Sequence, residues 1–260
     1  MEIDGRTALV TGASGGIGEQ FARQLAAGGA NLVLLARRGD ALRSLQAELL
    51  QVHPELTVQV VVADLSEAAG ADQVGQQLAS TGTVVDLLIN NAGVGSHELF
   101  VEEDPSALNR QIQLNVVSLV ALTALYLPGM LTRGSGAVVN VASTAAFQPV
   151  PTMAVYGATK AFVLSFSEAL WGETRGSGVR VLALCPGATE TAFFDATGKS
   201  FLTGRRQSPH QVVAVALRAL SGSSPTVVSG WGNRIEATGY RFLPRALMVR
   251  ISARKVRVTA

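Results

Sequence analysis

The stretch Thr7-Ala-Leu-Val-Thr11-Gly12-Ala-Ser14-Gly-Gly16-Ile17-Gly18 decides the fold of this chain. A short apolar strand runs into a cluster of glycines, and an amphipathic helix is expected from about Ile17 to Ala27. Glycines let the backbone approach a pyrophosphate, and the helix start offers unpaired N–H groups and a positive dipole end. A bare glycine cluster is more often an ordinary turn, but the strand before it and the helix after it favour a dinucleotide-binding turn. The residues expected to contact the dinucleotide are Gly12, Ser14, Gly16, Ile17 and Gly18.

Further apolar runs of strand length alternate with helical stretches along the chain. They lie at Asn31–Ala36, Val58–Ala63, Asp86–Ile89, Ala137–Ala142 and Val179–Pro186. With 260 residues, this alternation predicts an α/β fold: a Rossmann-like doubly wound parallel sheet of about seven strands, with helices on both faces, in a single domain. Residues 1–230 are expected to form the dinucleotide-binding catalytic domain, and residues 231–260 a basic amphipathic extension of it.

Two arginines, Arg37 and Arg38, follow the second apolar run, where an NAD-binding fold would carry an acid for the ribose 2′-hydroxyl. Two guanidiniums can pair bidentately with a 2′-phosphate, and Ser14 can add a hydroxyl. The sequence therefore predicts NADP(H) in preference to NAD(H). The alternative interpretation is a solvated basic turn.

Polar and small residues end the third and fourth apolar runs, at the sheet edge where open α/β folds bind ligands. Asp64, followed by Leu65, is expected to accept a hydrogen bond from the adenine amino group, unless it only caps the next helix. The residues Asn91, Ala92 and Gly93 leave room for a ribose and a nicotinamide, with an ordinary turn as the alternative.

Ser143, Tyr156 and Lys160 are the candidate catalytic side chains. Residues four apart on a helix share a face, so the phenol of Tyr156 and the ammonium of Lys160 can act on one substrate atom and one cofactor. A Tyr-x-x-x-Lys match alone is weak, but here it accompanies a dinucleotide-binding turn. A nearby ammonium would favour the phenolate and lower the pKa of Tyr156 from about 10 by about one to three units.

With these motifs in this order, the chain resembles the short-chain dehydrogenase/reductase family of the compact, single-domain type over residues 5 to 230. The matching motifs are Thr11-Gly-x-x-x-Gly16-Ile-Gly18, Asp64, Asn90-Asn91-Ala92-Gly93, Asn115, Ser143, Tyr156, Lys160 and Pro186-Gly187. The detailed pattern, including Ser143-Thr-Ala-Ala-Phe-Gln and Ala161-Phe-Val-Leu-Ser-Phe-Ser, most resembles bacterial members related to 3-oxoacyl and 17β-hydroxysteroid reductases. Specificity does not carry over with fold.

The resemblance implies roles for four residues. Tyr156 would protonate the substrate oxygen as hydride arrives from the nicotinamide, and Ser143 would hold that oxygen. Lys160 would hydrogen-bond the nicotinamide ribose, and Asn115 would hold a water that links Lys160 to solvent. Without the resemblance, the sequence favours Asn115 as a side chain inside a helix whose hydrogen bonds are made with the backbone.

The turn after the sixth apolar run is expected to contact the nicotinamide. Thr191 and nearby backbone groups would bind the carboxamide and choose which face of the ring meets the substrate, although Thr191 could instead be a helix N-cap. The remaining residues assigned to this contact are Pro186, Gly187 and Thr189.

The segment Ala192–Arg206 lies where the resembling family keeps a substrate lid, expected here at about residues 190–210. Its aromatic residues, and apolar residues between Ser143 and Tyr156, predict an apolar substrate. They are Phe193, Phe194 and Phe201 in the lid and Phe147, Val150 and Met153 before Tyr156. All six could equally be core residues.

Cysteine usage bears on the compartment. The single cysteine, Cys185, excludes a disulfide framework, and the first residues pass into a strand without a charged and apolar leader. A cytoplasmic protein is therefore expected. No metal site is expected either.

The uncharged stretch from Gln111 to Thr132 approaches the length of a membrane span. Pro128 and Gly129 interrupt it and Asn115 lies within it, so we predict a buried helix rather than a transmembrane one. This helix and the one that follows Tyr156 predict a homodimer or homotetramer formed through an apolar helix face.

Positive charge is concentrated near the C-terminus. Residues 231–260 contain seven Arg or Lys and one acid, although the formal net charge of the chain is only +2. Mixed with Phe242, Leu247 and Ile251, these cations could form a basic amphipathic helix for a weak contact with an anionic membrane surface. The favoured alternative is a helix packed on its own body or on a neighbouring subunit. Nucleic acid is not expected, because no recognition motif accompanies the charge.

The leading hypothesis is an NADPH-dependent reductase of a ketone or aldehyde on an apolar molecule, 3-oxoacyl or steroid-like, acting reversibly. The alternative is a non-catalytic NADP(H)-binding sensor or scaffold, against which the intact Asn115, Ser143, Tyr156 and Lys160 speak. A dehydratase or epimerase on the same fold would usually depart from these residues or belong to a longer chain.

Overall fold

The computed structural model describes residues 2–191, 193 and 206–256. In this part of the chain, seven parallel strands form one sheet in the order β3-β2-β1-β4-β5-β6-β7. The strands are β1 Thr7–Thr11, β2 Asn31–Ala36, β3 Val58–Val62, β4 Leu87–Asn90, β5 Gly136–Val141, β6 Val179–Cys185 and β7 Thr226–Val228. The predicted doubly wound, single-domain Rossmann-like fold is confirmed.

Helices cover both faces of this sheet. They are α1 Gly16–Ala27, α2 Gly39–Val52, α3 Gly70–Ser80, α4 Pro105–Ile112, α5 Ser118–Arg133, α6 Ala154–Glu173, α7 Pro209–Leu220, α8 Trp231–Gly239 and α9 Arg245–Lys255. On β1, Ala8 and Val10 pack with α1, α2 and α7, whereas Leu9 packs with α3 and α5. Because both faces of the sheet are buried, its strands read as nearly continuous apolar runs.

The strand order reverses between β1 and β4, which lie side by side although two strands separate them in the chain. The crevice at such a reversal, outside the carboxyl ends of the strands, is where open α/β sheets bind ligands. The glycine turn follows β1 and the Asn91–Gly93 stretch follows β4. The topology therefore brings both predicted cofactor-binding stretches to one edge of the sheet.

The stretch that approaches a membrane span in length forms α4, a π-helical turn at Gln113–Val117, and α5. Taken as one helix over Pro105–Arg133, it is long and apolar enough to cross a membrane, with a mean hydropathy of 1.8 and 39% of its most apolar window buried. Core helices of soluble proteins meet the same criterion. Here α5 packs on β5 and α3, as expected of a helix that covers a sheet.

The basic C-terminal stretch forms α8, a 3-10 turn at Tyr240–Phe242, and α9. Ala237, Tyr240, Met248 and Val256 are buried against the body of the protein. The boundary at residue 230 stays a prediction. Most of the predicted lid, including Phe194 and Phe201, lies outside the described residues.

Candidate active site

A cavity of about 880 Å³ opens at the carboxyl ends of the central strands. Its walls come from the turns after β1, β4, β5 and β6 and from α6, α8 and α9. The predicted site residues that line it are Gly12, Ser14, Gly16, Ile17, Arg38, Asn91, Ala92, Gly93, Ser143, Met153, Tyr156, Lys160, Pro186, Gly187, Thr189, Thr191 and Phe193. One cavity thus joins the glycine turn to the candidate catalytic side chains.

The glycine turn leaves no room for side chains. Gly12 and Gly16 have φ angles of 66° and 59°, in the left-handed region that favours glycine. A Cβ on Gly12 would lie 2.8 Å from Asn91 Nδ2, and one on Gly18 would overlap the Gly12 carbonyl oxygen. The turn therefore presents bare backbone at the start of α1, a cradle that fits the pyrophosphate of a dinucleotide.

Asn91 ties the turn after β4 to the end of β1. Its Nδ2 donates a hydrogen bond of 2.9 Å to the Thr11 carbonyl oxygen, and its backbone N–H donates one of 2.9 Å to Thr11 Oγ1. Thr11 Oγ1 also accepts from the N–H of Ala92 at 2.9 Å. These bonds hold the two turns, which both line the cavity, as one unit.

The two arginines after β2 have different surroundings. Arg38 Nη2 donates to the Ser14 carbonyl oxygen at 2.8 Å and lies 3.2 Å from Ser14 Oγ. Arg37 Nη1 lies 3.5 Å from Asp64 Oδ2 and does not line the cavity. Arg38 and Ser14 thus lie together at the cavity, whereas Arg37 does not join the arrangement that the sequence predicts for both arginines.

Asp64 lies outside the cavity lining, at the end of β3. Burial would raise the pKa of its carboxyl, but hydrogen bonds from the Ser66 hydroxyl and N–H, together with the charge of Arg37, hold that pKa below its usual value. A charged carboxylate is therefore available to an adenine amino group, while the bond to the Ser66 N–H also matches the capping alternative.

Tyr156 and Ser143 meet in the cavity. Tyr156 lies in the first turn of α6, Ser143 lies two residues after the end of β5, and both side chains line the cavity. Tyr156 is half-buried: one side of the side chain is open to the cavity, and the remainder is packed against protein. Burial raises the pKa of Tyr156 to about 12, outweighing the lowering effect of Ser143.

Lys160 is buried one helical turn after Tyr156, and its Nζ donates a hydrogen bond of 2.8 Å to the Val141 carbonyl oxygen. Burial lowers the pKa of this ammonium to about 8. The predicted lowering of the Tyr156 pKa is therefore wrong for the chain alone. The Lys160 ammonium lies 5.8 Å from the Tyr156 ring centre and is directed to Val141, so desolvation of the phenol prevails.

Asn115 lies in the π-helical turn between α4 and α5. Its Oδ1 accepts from the Val94 N–H at 2.9 Å, and its Nδ2 donates to the Val94 carbonyl oxygen at 2.8 Å and to Thr159 Oγ1 at 3.1 Å. Single π-helical turns often occur at functional sites. Gly93 separates the Asn115 and Lys160 side chains, since a Cβ there would lie 3.2 Å from Asn115 Oδ1 and 3.4 Å from Lys160 Nζ.

Several predicted residues occupy other positions. Leu65 is buried in the core. Phe147 does not line the cavity, because its 3-10 turn directs it into a cluster with Leu119 and Val163. Phe193 stands at the cavity with its ring centre 5.4 Å from that of Tyr156.

Sequence reasoning missed a part of the cavity wall. These residues are Gly95 after β4 and Gly232, Asn233, Glu236, Ser252 and Val256 from the C-terminal stretch. The only sequence signal for these C-terminal residues was the mixture of charged and apolar residues after position 230. That mixture does not show which side chains face the cavity. Among the described residues, no group of three His, Cys, Asp or Glu side chains is placed to hold a metal ion.

Comparison with known proteins agrees with this geometry. Residues 6–200 match the family model described as short chain dehydrogenase. The human very-long-chain 3-oxoacyl-CoA reductase is 31% identical over 229 residues, covering 85% of this chain and 70% of that protein.

Two solved structures are also similar. A short-chain dehydrogenase from Sphingobium yanoikuyae in complex with NADPH has 32% identity and a TM-score of 0.83, covering 98% of this chain and 97% of that one. The bulky-bulky ketone specific alcohol dehydrogenase from Comamonas testosteroni has 30% identity and a TM-score of 0.77, covering 93% and 96%.

Proposed function

Because this chain belongs to the short-chain dehydrogenase family and is an oxidoreductase of carbonyl and alcohol groups, we propose that it is an NADPH-dependent reductase of a ketone or aldehyde on an apolar small molecule. The reaction runs in reverse when the alcohol and the oxidised cofactor are supplied. A non-catalytic NADP(H)-binding sensor is the alternative, and the experiment below separates the two.

One observation carries this proposal. Ser143 and Tyr156 share a cavity of about 880 Å³ with the glycine turn and with Lys160. A proton donor, a second hydroxyl and a cation therefore converge where the nicotinamide end of a bound dinucleotide would reach. A sensor has no need for this convergence.

The chain's own residues account for the proton chemistry. When bound, the dinucleotide supplies the hydride. Tyr156 is protonated at neutral pH, as an ordinary phenol already is, and burial, which raises its pKa to about 12, reinforces this. It donates that proton to the carbonyl oxygen as negative charge develops there. Ser143 holds the same oxygen by a hydrogen bond, and the charge of Lys160 stabilises the tyrosinate that remains.

The preference for NADP(H) rests on Arg38 and Ser14. The Arg38 guanidinium is exposed at the cavity and already held against Ser14. A guanidinium beside a hydroxyl provides several donors to a 2′-phosphate, whereas the 2′-hydroxyl of NAD(H) would leave the positive charge unpaired.

Apolar side chains support an apolar substrate. Val150 and Met153 are buried at the cavity wall beside Tyr156 and Val256. Phe193 adds an aromatic ring against Tyr156. This wall suits a ketone with apolar substituents better than a small polar sugar.

We also propose that the protein forms a homodimer or homotetramer in the cytoplasm. Val117, Leu125, Leu131 and Phe162 remain 40–48% exposed on the helices around α5 and α6. A second copy would cover these side chains, and one buried free thiol suits a reducing compartment. Equilibrium sedimentation over a dilution series tests the assembly, and a monomer at all concentrations contradicts it.

Loss of NADPH absorbance with a carbonyl panel tests the proposed function. The panel contains medium-chain 3-oxoacyl thioesters, steroid ketones, aromatic ketones and diketones. Turnover should fall at least about 100-fold in Tyr156→Phe while NADPH binding persists. Tyr126→Phe is the matched control, since the Tyr126 hydroxyl is buried without a hydrogen-bond partner and lies outside the cavity. NADPH binding without turnover on any compound favours the sensor.

A further inference from the structure

The short helix α8 has two functionally different faces. Gly232, Asn233 and Glu236 line the open cavity. Trp231 and Ile235, four residues apart and so on one face, point outward and are 76% and 59% exposed. A surface helix normally buries its large apolar side chains and exposes its polar ones. In α8, by contrast, the two largest apolar side chains are exposed and the one buried residue is the small Ala237.

Further large apolar side chains are exposed in the segment that follows α8. Phe242, in the 3-10 turn, is 82% exposed, and Leu247 of α9 is 44% exposed. Arg250 and Arg254 are exposed on the same face of α9 as Leu247, at spacings of three and seven residues. We call the following set the C-terminal face: Trp231, Arg234, Ile235, Phe242, Leu247, Arg250 and Arg254.

The charge of the C-terminal face has one sign. Arg234, Arg250 and Arg254 form no ion pair within the described ranges. The one acid after position 230 is Glu236, which faces the cavity and accepts a hydrogen bond of 2.7 Å from the Tyr240 hydroxyl. Aromatic and aliphatic side chains among unopposed guanidiniums are what a peripheral contact with anionic lipid requires.

A second copy of this chain fits the C-terminal face less well. In a two-fold contact the same surface meets itself, so these guanidiniums would oppose guanidiniums with no acid on either side. Anionic headgroups supply the missing opposite charge, and the acyl boundary accepts Trp231, Ile235 and Phe242.

We propose that the C-terminal face docks this protein on an anionic lipid surface. The inner sides of the same helices line the cavity, so an apolar substrate dissolved in the lipid has a short way into it. Substrate entry from the lipid rests on the proposed reductase function, whereas the lipid contact itself is independent of that function.

Fluorescence of Trp231 provides a direct test. The chain has two tryptophans, and Trp171 is removed by Trp171→Phe so that emission reports Trp231 alone. Vesicles of phosphatidylglycerol and phosphatidylcholine should shift this emission to the blue and sediment the protein, whereas pure phosphatidylcholine vesicles should do so much more weakly.

Variants test whether vesicle binding depends on the charge of the C-terminal face or on exposed apolar side chains in general. Arg250→Glu with Arg254→Glu should weaken partitioning onto anionic vesicles by at least about 30-fold, because each basic residue near such a surface is worth about fivefold. Phe100→Ala is the matched control and should change nothing. Phe100 is 62% exposed, like the residues of the C-terminal face, but its neighbours are Glu98, Glu102 and Glu103.

Circular dichroism and NADPH binding establish that each variant is folded, and no readout depends on turnover, so failure of the proposed reductase function would remain distinguishable. Three results would overturn the proposal. They are an emission of Trp231 unaffected by anionic vesicles, partitioning that ignores the Arg250 and Arg254 changes, and a blue shift that grows with protein concentration in the absence of vesicles. The last would identify a second copy as the occupant.

Discussion

The ammonium of Lys160 lies 5.8 Å from the centre of the Tyr156 ring in one corner of the cavity. Burial moves their pKa values in opposite directions, that of Tyr156 up to about 12 and that of Lys160 down to about 8. Folding therefore disfavours the charged form of both groups. The buried charge of Lys160 therefore lowers the free energy of unfolding, compared with an apolar side chain at the same position.

Replacing Lys160 by Met should stabilise the folded chain at neutral pH and remove turnover. An apolar side chain of similar length avoids the desolvation that lowers the Lys160 pKa from 10.5 to about 8. We expect a gain of about 1–3 kcal/mol after the lost hydrogen bond to Val141 is subtracted. Urea unfolding of both proteins measures it, and a loss of stability would contradict it.

The difference between these two proteins should also depend on pH. Below about pH 8 the Lys160 amine is protonated in both the folded and unfolded states, so the cost is constant. Between about pH 8 and 10.5 the unfolded state binds more protons, so the stability of the parent protein rises with pH. The gap to Lys160→Met should close over this interval. A constant gap would mean that Lys160 is not perturbed by burial.

Arg38 should control cofactor choice more than Arg37. Arg38→Leu removes the guanidinium held at Ser14, and the KM for NADPH should rise about 10- to 100-fold with that for NADH little changed. Arg37 is exposed, paired with Asp64 and outside the cavity, so Arg37→Leu should change the ratio less than about threefold. Steady-state kinetics with both cofactors measure this, and equal effects would refute the distinction.

The double change Arg37→Asp with Arg38→Leu should raise the KM for NADPH relative to that for NADH at least as much as Arg38→Leu alone. Arg43→Leu is the control for loss of a surface cation near this site, since Arg43 pairs with Asp40 on α2. It should leave the NADPH to NADH ratio unchanged.

Gly95→Ala should lower kcat without weakening NADPH binding. A Cβ on Gly95 would lie 2.6 Å from the Phe193 ring and 2.9 Å from the Tyr156 ring, so one of the two must move. A displacement of about 1 Å at the reacting groups can cost about 100-fold in rate. Gly232→Ala is the control, because Gly232 also lines the cavity but a Cβ there meets nothing within 4 Å. Equal kcat values for the two variants would exclude this packing constraint.

Asn115→Ala should lower both stability and cofactor affinity. It removes the two bonds to the Val94 backbone and so loosens the turn that carries Gly93. We expect a loss of about 1–3 kcal/mol in the free energy of unfolding and weaker NADPH binding by fluorescence titration. Asn109→Ala, at an exposed position of α4, should change neither. Unaltered affinity in Asn115→Ala would show that Asn115 does not position this turn.

Six of the seven strands could be predicted to within about one residue because each is a short apolar run that ends near glycine, proline or polar residues, whereas β7 was not located. The glycine turn could also be predicted, because a Cβ on Gly12 or Gly18 would come too close to neighbouring atoms. Local spacing also placed Tyr156 and Lys160 on one helix face. These features depend on residues close in sequence.

The remaining features depend on contacts between distant segments. That Lys160 would bond to Val141 and that burial would raise the Tyr156 pKa requires knowing what surrounds α6. Phe147 has the composition of a pocket residue, but the orientation of its 3-10 turn decides its neighbours. In α8, the large apolar residues Trp231 and Ile235 are exposed, so the rule that such residues are buried would have placed them against the cavity.

The last described residues of the chain complete the wall of the cavity. Val256 lines it, and the Val256 carbonyl oxygen lies 3.2 Å from His97 Nε2, in the loop after β4. All seven strands are already present by Val228. During synthesis, the sheet and its glycine turn therefore leave the ribosome before the residues that close this side of the cavity. The cavity depends for its shape on a segment made after every strand of the described sheet.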